Sequence, residues 1–390
     1  MNTKKNIFSS ESVTEGHPDK VCDQISDAIL DEYIKKDPLC RVACETMIMP
    51  GKVIIAAEIS SSASVDILDI IKNTLKNVSY TEQYHGLSPE NCEIELNIVP
   101  QSEDISLGVD NSLETKEHTM NLCLGAGDQG IMHGYATRES ENLMPLPITL
   151  SHMLVKKLDQ TRKQNKLDYL LSDGKAQVSM EYSKDNFPVR CDTIVLSAQH
   201  LPDVMMPQLQ KDLLEHIILE TIPEKYIDKK TRILINPTGR FVSGGAKADC
   251  GLTGRKLIVD TYGGWARHGG GAFSGKDPSK VDRTGAYMAR YIAKNIIASG
   301  ICDKIDVQLA YAIGVAHPVG VYIDTFGTGK IPDSQISSKI QDQLDLTPSG
   351  MIQKLNLLNP IYKQLAVYGH VGRVDIDLPW EQIDYLYLGM

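Results

Sequence analysis

Residues 175–196, KAQVSMEYSKDNFPVRCDTIVL, read as two strands, 175–182 and 189–196, joined by a turn at Asp185-Asn186. An antiparallel hairpin of this kind needs helices or a second sheet over its apolar face. The flanking sequence supplies helical periodicity over about 148–164 before it and about 205–220 after it. The same order recurs on both sides. Upstream, a helix over about 18–35 precedes a hairpin around Pro50-Gly51, a helix over about 65–77 and a strand near 93–99. Downstream come a helix over 280–298, strands near 304–312 and 319–324, and a helix over about 334–344. Three passes of hairpin and helices predict an α+β protein of three related domains, although no sequence repeat of fixed period accompanies them. Residues 101–116, polar and interrupted by Gly108, read as a surface loop that is either a linker or a lid over a site.

The chain has 390 residues, 42% hydrophobic and 23% charged, enough for a sizeable core in two or three domains. A formal net charge of −10 argues against binding nucleic acid or anionic membrane non-specifically, so basic residues matter where they cluster: Lys247, Arg255, Lys256, Arg267, Lys276 and Lys280. No apolar leader follows Lys4 and Lys5, and apolar runs such as 53–57 are too short to span a bilayer, which predicts a cytoplasmic protein. The eight cysteines form no C-x-x-C pair, so reduced, buried thiols are expected rather than a zinc site.

Chemistry concentrates in a few short segments. GGGAFSGKD, 269–277, places four glycines beside a lysine and a carboxylate, the composition of a polyphosphate and metal site. Gly270 to Lys276 fits part of a P-loop, but Asp277 stands where that motif requires a hydroxyl. In EGHPDK, 15–20, Pro18 opens a helix and sets His17, Asp19 and Lys20 around its positive end, where an anion or a bridging metal is favoured. GAGDQG, 125–130, fits the dinucleotide template only weakly, because Pro145 and Pro147 interrupt what should follow. Asp173-Gly174-Lys175, Asp249-Cys250-Gly251 and Gly254-Arg255-Lys256 repeat the grouping of carboxylate, glycine and base, and as isolated triplets they would be turns.

Taken together, EGHPDKVCDQISDAILD, VACET, GAGDQG, DGK, DCGLTGRK and GGGAFSGKDPSKVDR, in this order over nearly the whole chain, resemble S-adenosylmethionine synthetase of the bacterial type, the methionine adenosyltransferase family. The departures are small: His133, where the family more often has an apolar or aromatic residue, and Trp265. The resemblance implies three related α+β domains in a pseudo-threefold arrangement, with helices on one face of mixed sheets. Their expected extents are 1–103, 117–233 and 234–390, with an active-site loop at 104–116. It implies attack of the methionine sulfur on C5′ of ATP, then hydrolysis of the tripolyphosphate to pyrophosphate and phosphate.

By positional match, His17, Lys175, Arg255, Lys256 and Lys276 are the catalytic set facing the triphosphate. Asp173, Arg240, Phe241, Asp249 and Ala272 complete the ATP site, Phe241 as a ring on adenine, and Glu58, Gln101, Asp249 and Lys280 hold methionine. Two Mg²⁺ per active site are assigned to Asp19 and Asp282, and one K⁺ per subunit to Glu45. The resemblance also implies a homodimer, or a dimer of dimers, with active sites between subunits, and neither nucleic acid nor membrane as partner. Two rivals stand beside it: a P-loop kinase acting through Gly270 to Lys276, and a nucleotide sensor that has lost its chemistry. The second is disfavoured because every matched charged position is intact.

Overall fold

The structure is a computed structural model and describes residues 6–102, 109, 111–118, 120 and 123–384. The chain passes through one order of elements three times. The first run comprises β1 (Asn6–Val13), the helix Pro18–Lys36, β2 (Arg41–Met49), β3 (Lys52–Ser60), the helix Ile67–Asn77 and β4 (Glu93–Val99). The second comprises β5 (Gly130–Thr137), the helix Leu146–Lys163, β6 (Leu170–Tyr182), β7 (Pro188–His200), the helix Met206–Leu213 and β8 (Arg232–Ile235). The third comprises β9 (Gly251–Leu252), the helix Val281–Ala298, β10 (Lys304–Tyr311), β11 (Gly320–Asp324) and the helix Asp333–Gln343.

In each run the leading strand leaves its own hairpin and pairs antiparallel with the first hairpin strand of another. β1 pairs with β6, β5 with β10 and β9 with β2. The exchange is cyclic and gives three sheets of one topology: β1-β6-β7-β8, β9-β2-β3-β4 and β5-β10-β11. The fourth strands, β4 and β8, lie parallel to β3 and β7, as a helical crossover requires. The protein is thus α+β with three related units, and sheet membership crosses the chain positions 103, 117 and 233. The predicted helix over 205–220 starts as expected but passes through a π turn at Leu214–Ile218. The loop expected at 104–116 falls partly on residues 104–108 and 110, which lie outside the described residues.

Helices cover one face of each sheet. In β2, Val42, Cys44, Thr46 and Ile48 are buried on the side of the Pro18–Lys36 helix, while Ala43, Glu45 and Met47 face outward. That helix shares a core with the Val281–Ala298 helix through Val21, Ile25, Ile29, Tyr287 and Tyr291, and Trp380 stacks on Tyr287 at 4.0 Å between ring centroids. Each such aliphatic side chain contributes about 1.5–3 kcal/mol on full burial.

The Val281–Ala298 helix is buried nearly all round, so its Arg290 must be satisfied internally. Its five N–H donors go to both Glu381 carboxylate oxygens, at 2.9 and 3.0 Å, and to the carbonyls of Tyr135, Leu143 and Asn142, at 2.8, 3.0 and 2.7 Å. This arginine ties the second and third runs together. Among the described residues no helix is long and apolar enough to cross a membrane.

Candidate active site

The residues singled out by sequence fall into two groups. The first forms where β1 gives way to the Pro18–Lys36 helix. Val13 pairs with Lys175, the Thr14 N–H donates to the Gly174 carbonyl at 3.0 Å, and the Thr14 hydroxyl donates to the Ser172 carbonyl at 2.7 Å. A Cβ on Gly16 would overlap Ser172, so only glycine lets this turn lie against Asp173 and Lys175. His17 caps the helix, its Nδ1 accepting from the Asp19 N–H at 3.2 Å. The tautomer is thereby fixed with the proton on Nε2.

β9 comes over the same helix end, where a Cβ on Gly251 would overlap the Pro18 carbonyl. The Leu252 N–H donates to Asp19 Oδ1 at 3.0 Å, Lys256 Nζ pairs with Asp19 Oδ2, and Arg255 Nε stands 3.6 Å from Oδ1. Asp173 Oδ2 accepts the Gly245 N–H at 2.8 Å, which brings in the turn carrying Asp249. Lys175 is exposed and 3.3 Å from Glu11.

Burial and charge together set protonation in this group. Burial, reinforced by the charges of Lys256, Lys175 and Lys20 and opposed by Asp19, lowers the His17 pKa to about 3. Burial alone would raise that of Asp19, but the hydrogen bond and charge of Lys256 reverse the sign and hold it below the usual carboxylate range. Burial pushes Asp173 up to about 6. The first group is therefore a neutral imidazole N–H beside a cluster of cationic side chains.

The second group lies beside β2 and at the start of the Val281–Ala298 helix. Lys276 Nζ donates to Asp282 at 2.7 Å and Lys280 Nζ to Asp277 at 2.7 Å. Glu45 and Glu58 stand on the outward face of the β9-β2-β3-β4 sheet. Burial raises the Glu45 pKa, the Lys276 charge opposes this, and the Glu58 charge adds to it. Gln101 follows β4, its N–H on Ser60 Oγ at 3.0 Å. Ala272 lies between the groups, against Gly254 of the Arg255 turn. Among the described residues no hydrogen bond or ion pair joins the polar side chains of one group to those of the other.

Family models match almost end to end: "S-adenosylmethionine synthetase, N-terminal domain" over residues 5–103, "central domain" over 123–241 and "C-terminal domain" over 243–382. The chain belongs to the S-adenosylmethionine synthetase family. It is a methionine adenosyltransferase.

Within this synthetase the glycine-rich segment does not form the P-loop of the kinase alternative. No strand leads into Gly270, whose N–H donates to His268 Nδ1 at 2.8 Å, and the Gly275 N–H donates to Asp27 at 2.8 Å. Asp277 turns inward, accepting the Val42 N–H at 2.7 Å, so it is a structural carboxylate. Cβ atoms on Gly269, Gly271 and Gly275 would overlap Ile131, Asp282 and Cys44, so these glycines serve close packing that delivers Lys276 to the sheet.

Arg240 is exposed, and the Phe241 backbone pairs with His200, its N–H donating to Nε2 at 3.0 Å and its carbonyl accepting the His200 N–H at 2.9 Å. A cavity of about 670 Å³ lies between the Leu146–Lys163 helix and residues 368–375 and is lined by none of the residues assigned from sequence. Sequence reading passed over Asp23, Asp27 and Asp260, all buried and all supporting one of the two groups. The recurrence of Asp at every fourth position from Asp19 was the available signal.

Proposed function

We propose that this synthetase binds ATP with its triphosphate against His17, Lys175, Arg255 and Lys256 of one protomer and Lys276 of a second copy, each protomer lending a half to two sites. The reading is supported by the sorting of the charged residues into two groups, one at the end of the Pro18–Lys36 helix and one reaching the outward face of β2. Ribose and adenine lie near Asp173, Arg240, Phe241 and Ala272, and methionine near Glu58, Gln101, Asp249 and Lys280.

The thioether sulfur has no proton to lose, so the alkyl transfer needs no base, only alignment and stabilisation of the departing polyanion. His17, neutral with its proton on Nε2, donates a hydrogen bond to the leaving oxygen at C5′ without protonating it. The cationic side chains hold the tripolyphosphate for its hydrolysis.

Members of the family use metal ions. Asp19 and Asp282 suit Mg²⁺, which needs only one or two carboxylates beside phosphate oxygens. Each now pairs with a lysine, a partner that a metal-phosphate complex would share. Glu45, on the same outward sheet face as Glu58, offers a carboxylate for K⁺. When bound, the divalent ions neutralise charge on the phosphate chain. Eight unpaired cysteines accord with work in the reducing cytoplasm.

Mixing His17→Asn and Lys276→Met proteins, each inactive alone, tests the shared site. Random exchange between symmetric dimers leaves one intact site in half of them, about a quarter of the wild-type rate. No recovery after demonstrated subunit exchange contradicts the reading.

A further inference from the structure

The Pro18–Lys36 helix carries Asp19, Asp23, Asp27 and Asp31 at four-residue intervals, so their carboxylates form one column climbing about 6 Å per step. All four are buried, and each accepts backbone N–H groups from a remote segment. Asp19 takes Leu252 at 3.0 Å, Asp23 takes Gly254 at 2.9 Å, Asp27 takes Gly275 at 2.8 Å, and Asp31 takes Tyr362 and Lys363, both at 2.9 Å. The column therefore sets the spacing between the turn bearing Arg255 and Lys256 and the turn bearing Lys276.

Asp27 holds its segment on two sides. Arg283 pairs with it bidentately, at 2.7 and 2.8 Å, and the same Arg283 donates from Nη1 to the Lys276 carbonyl at 3.1 Å. The Gly275 N–H and the Lys276 carbonyl, on either side of the Lys276 α-carbon, are thus both held by one ion pair whose members are fully buried. Arg283 is itself fixed, its Nε donating to the Tyr287 hydroxyl at 3.0 Å and its guanidinium 4.3 Å from the Tyr362 ring centroid. Gly275 has φ +82° and lies too close to the Cys44 carbonyl to carry a side chain, so only glycine fits at this turn. A buried ion pair is a poor source of stability compared with apolar packing, so its use here calls for a geometric explanation.

We propose that Asp27 and Arg283 are positioning residues for alkyl transfer and tripolyphosphate hydrolysis, acting through the backbone of Lys276 to aim its ammonium at the phosphate chain. The proposal rests on the reading that Lys276 faces the triphosphate.

The test compares Asp27→Asn, Asp31→Asn, Lys276→Met and the Asp27→Asn/Lys276→Met double variant in the full-length enzyme, measuring kcat, KM for ATP and thermal midpoint. Asp27→Asn should lower kcat at least about tenfold with KM for ATP nearly unchanged, because a displaced cation is missed mainly in the transition state. Asp31→Asn, buried in the same column but gripping residues 362–363, should shift the midpoint and keep kcat within about twofold. The double variant should be no slower than Lys276→Met, since Asp27 acts only through that lysine.

Wild-type kcat in Asp27→Asn, or additive losses in the double variant, would overturn the proposal while a slow Lys276→Met upholds the functional reading. Wild-type kcat in Lys276→Met would overturn both. Should Asp27→Asn fail to fold, Arg283→Lys keeps a cation on Asp27 and drops the bond to the Lys276 carbonyl. It is expected to show the same kcat loss, and normal kcat there would equally overturn the proposal.

Discussion

Titrating the His17 ring in the free enzyme should find a neutral imidazole across the whole neutral range, and His17→Asn should remove a matching acid-sensitive stability term. The pKa is lowered from 6.5 to about 3, chiefly by burial and by the Lys256 charge. A shift of that size corresponds to about 5 kcal/mol against protonation and leaves on the order of one ring in ten thousand charged at pH 7. The sign follows from proton uptake: between pH 6.5 and 3 the unfolded chain binds a proton that the folded ring refuses. Stability is therefore intact above pH 6.5 and lost as pH falls toward 3, by about 2 kcal/mol at pH 5. In chemical denaturation, the advantage of wild type over His17→Asn should shrink by about that amount between pH 7.5 and pH 5. NMR of ring-labelled protein, with the His17 signal identified by its absence from the variant, reads the ionisation directly. A midpoint at or above about pH 6 would refute the reasoning, because a ring capped by the Asp19 N–H and flanked by lysines should not hold a proton there. The variant's kcat should fall about 10²–10³-fold, the usual loss for one donor to a developing anion.

Three further outcomes follow from the same geometry. Gly251→Ala forces a methyl against the Pro18 carbonyl and displaces the turn bearing Arg255 and Lys256, so kcat should drop at least about tenfold while the circular dichroism spectrum is retained; normal kcat would show that the turn tolerates the shift. Lys256→Met removes the partner that holds Asp19 ionised and should cost about 10²-fold in kcat/KM for ATP, whereas a change in KM for methionine alone would place this lysine wrongly. Glu381→Gln leaves Arg290 and Lys294 short of a buried charge and should destabilise the protein by about 3–5 kcal/mol in urea titration; an unchanged midpoint would mean that solvent reaches the pair.

The hairpins β2-β3, β6-β7 and β10-β11 were legible because each pairs neighbours in the chain and declares its turn. The leading strands β1, β5 and β9 were not, because their partners are remote: Asn6 lies opposite Tyr182, and Met47 opposite Leu252. Without those pairings the cyclic exchange that gathers the site is invisible. His17, Asp19, Arg255 and Lys256 could be nominated from composition and from the resemblance, but their convergence depends on Gly16 and Gly251 permitting two close approaches. In the glycine-rich segment the sequence does not show that Gly269, Gly271 and Gly275 are small because the chain packs against itself, or that the Gly275 N–H is taken by Asp27. The aspartate column was readable from its spacing alone, yet which loops it grips requires tertiary contacts.

The central claim, alkyl transfer from ATP to methionine followed by hydrolysis of the tripolyphosphate, is tested most directly by resolving all products of a single turnover with ATP, methionine, Mg²⁺ and K⁺. Equal amounts of S-adenosylmethionine, pyrophosphate and phosphate, with no ADP and no turnover without methionine, are predicted. Methionine-independent release of ADP, or ATP binding without any turnover, would contradict it.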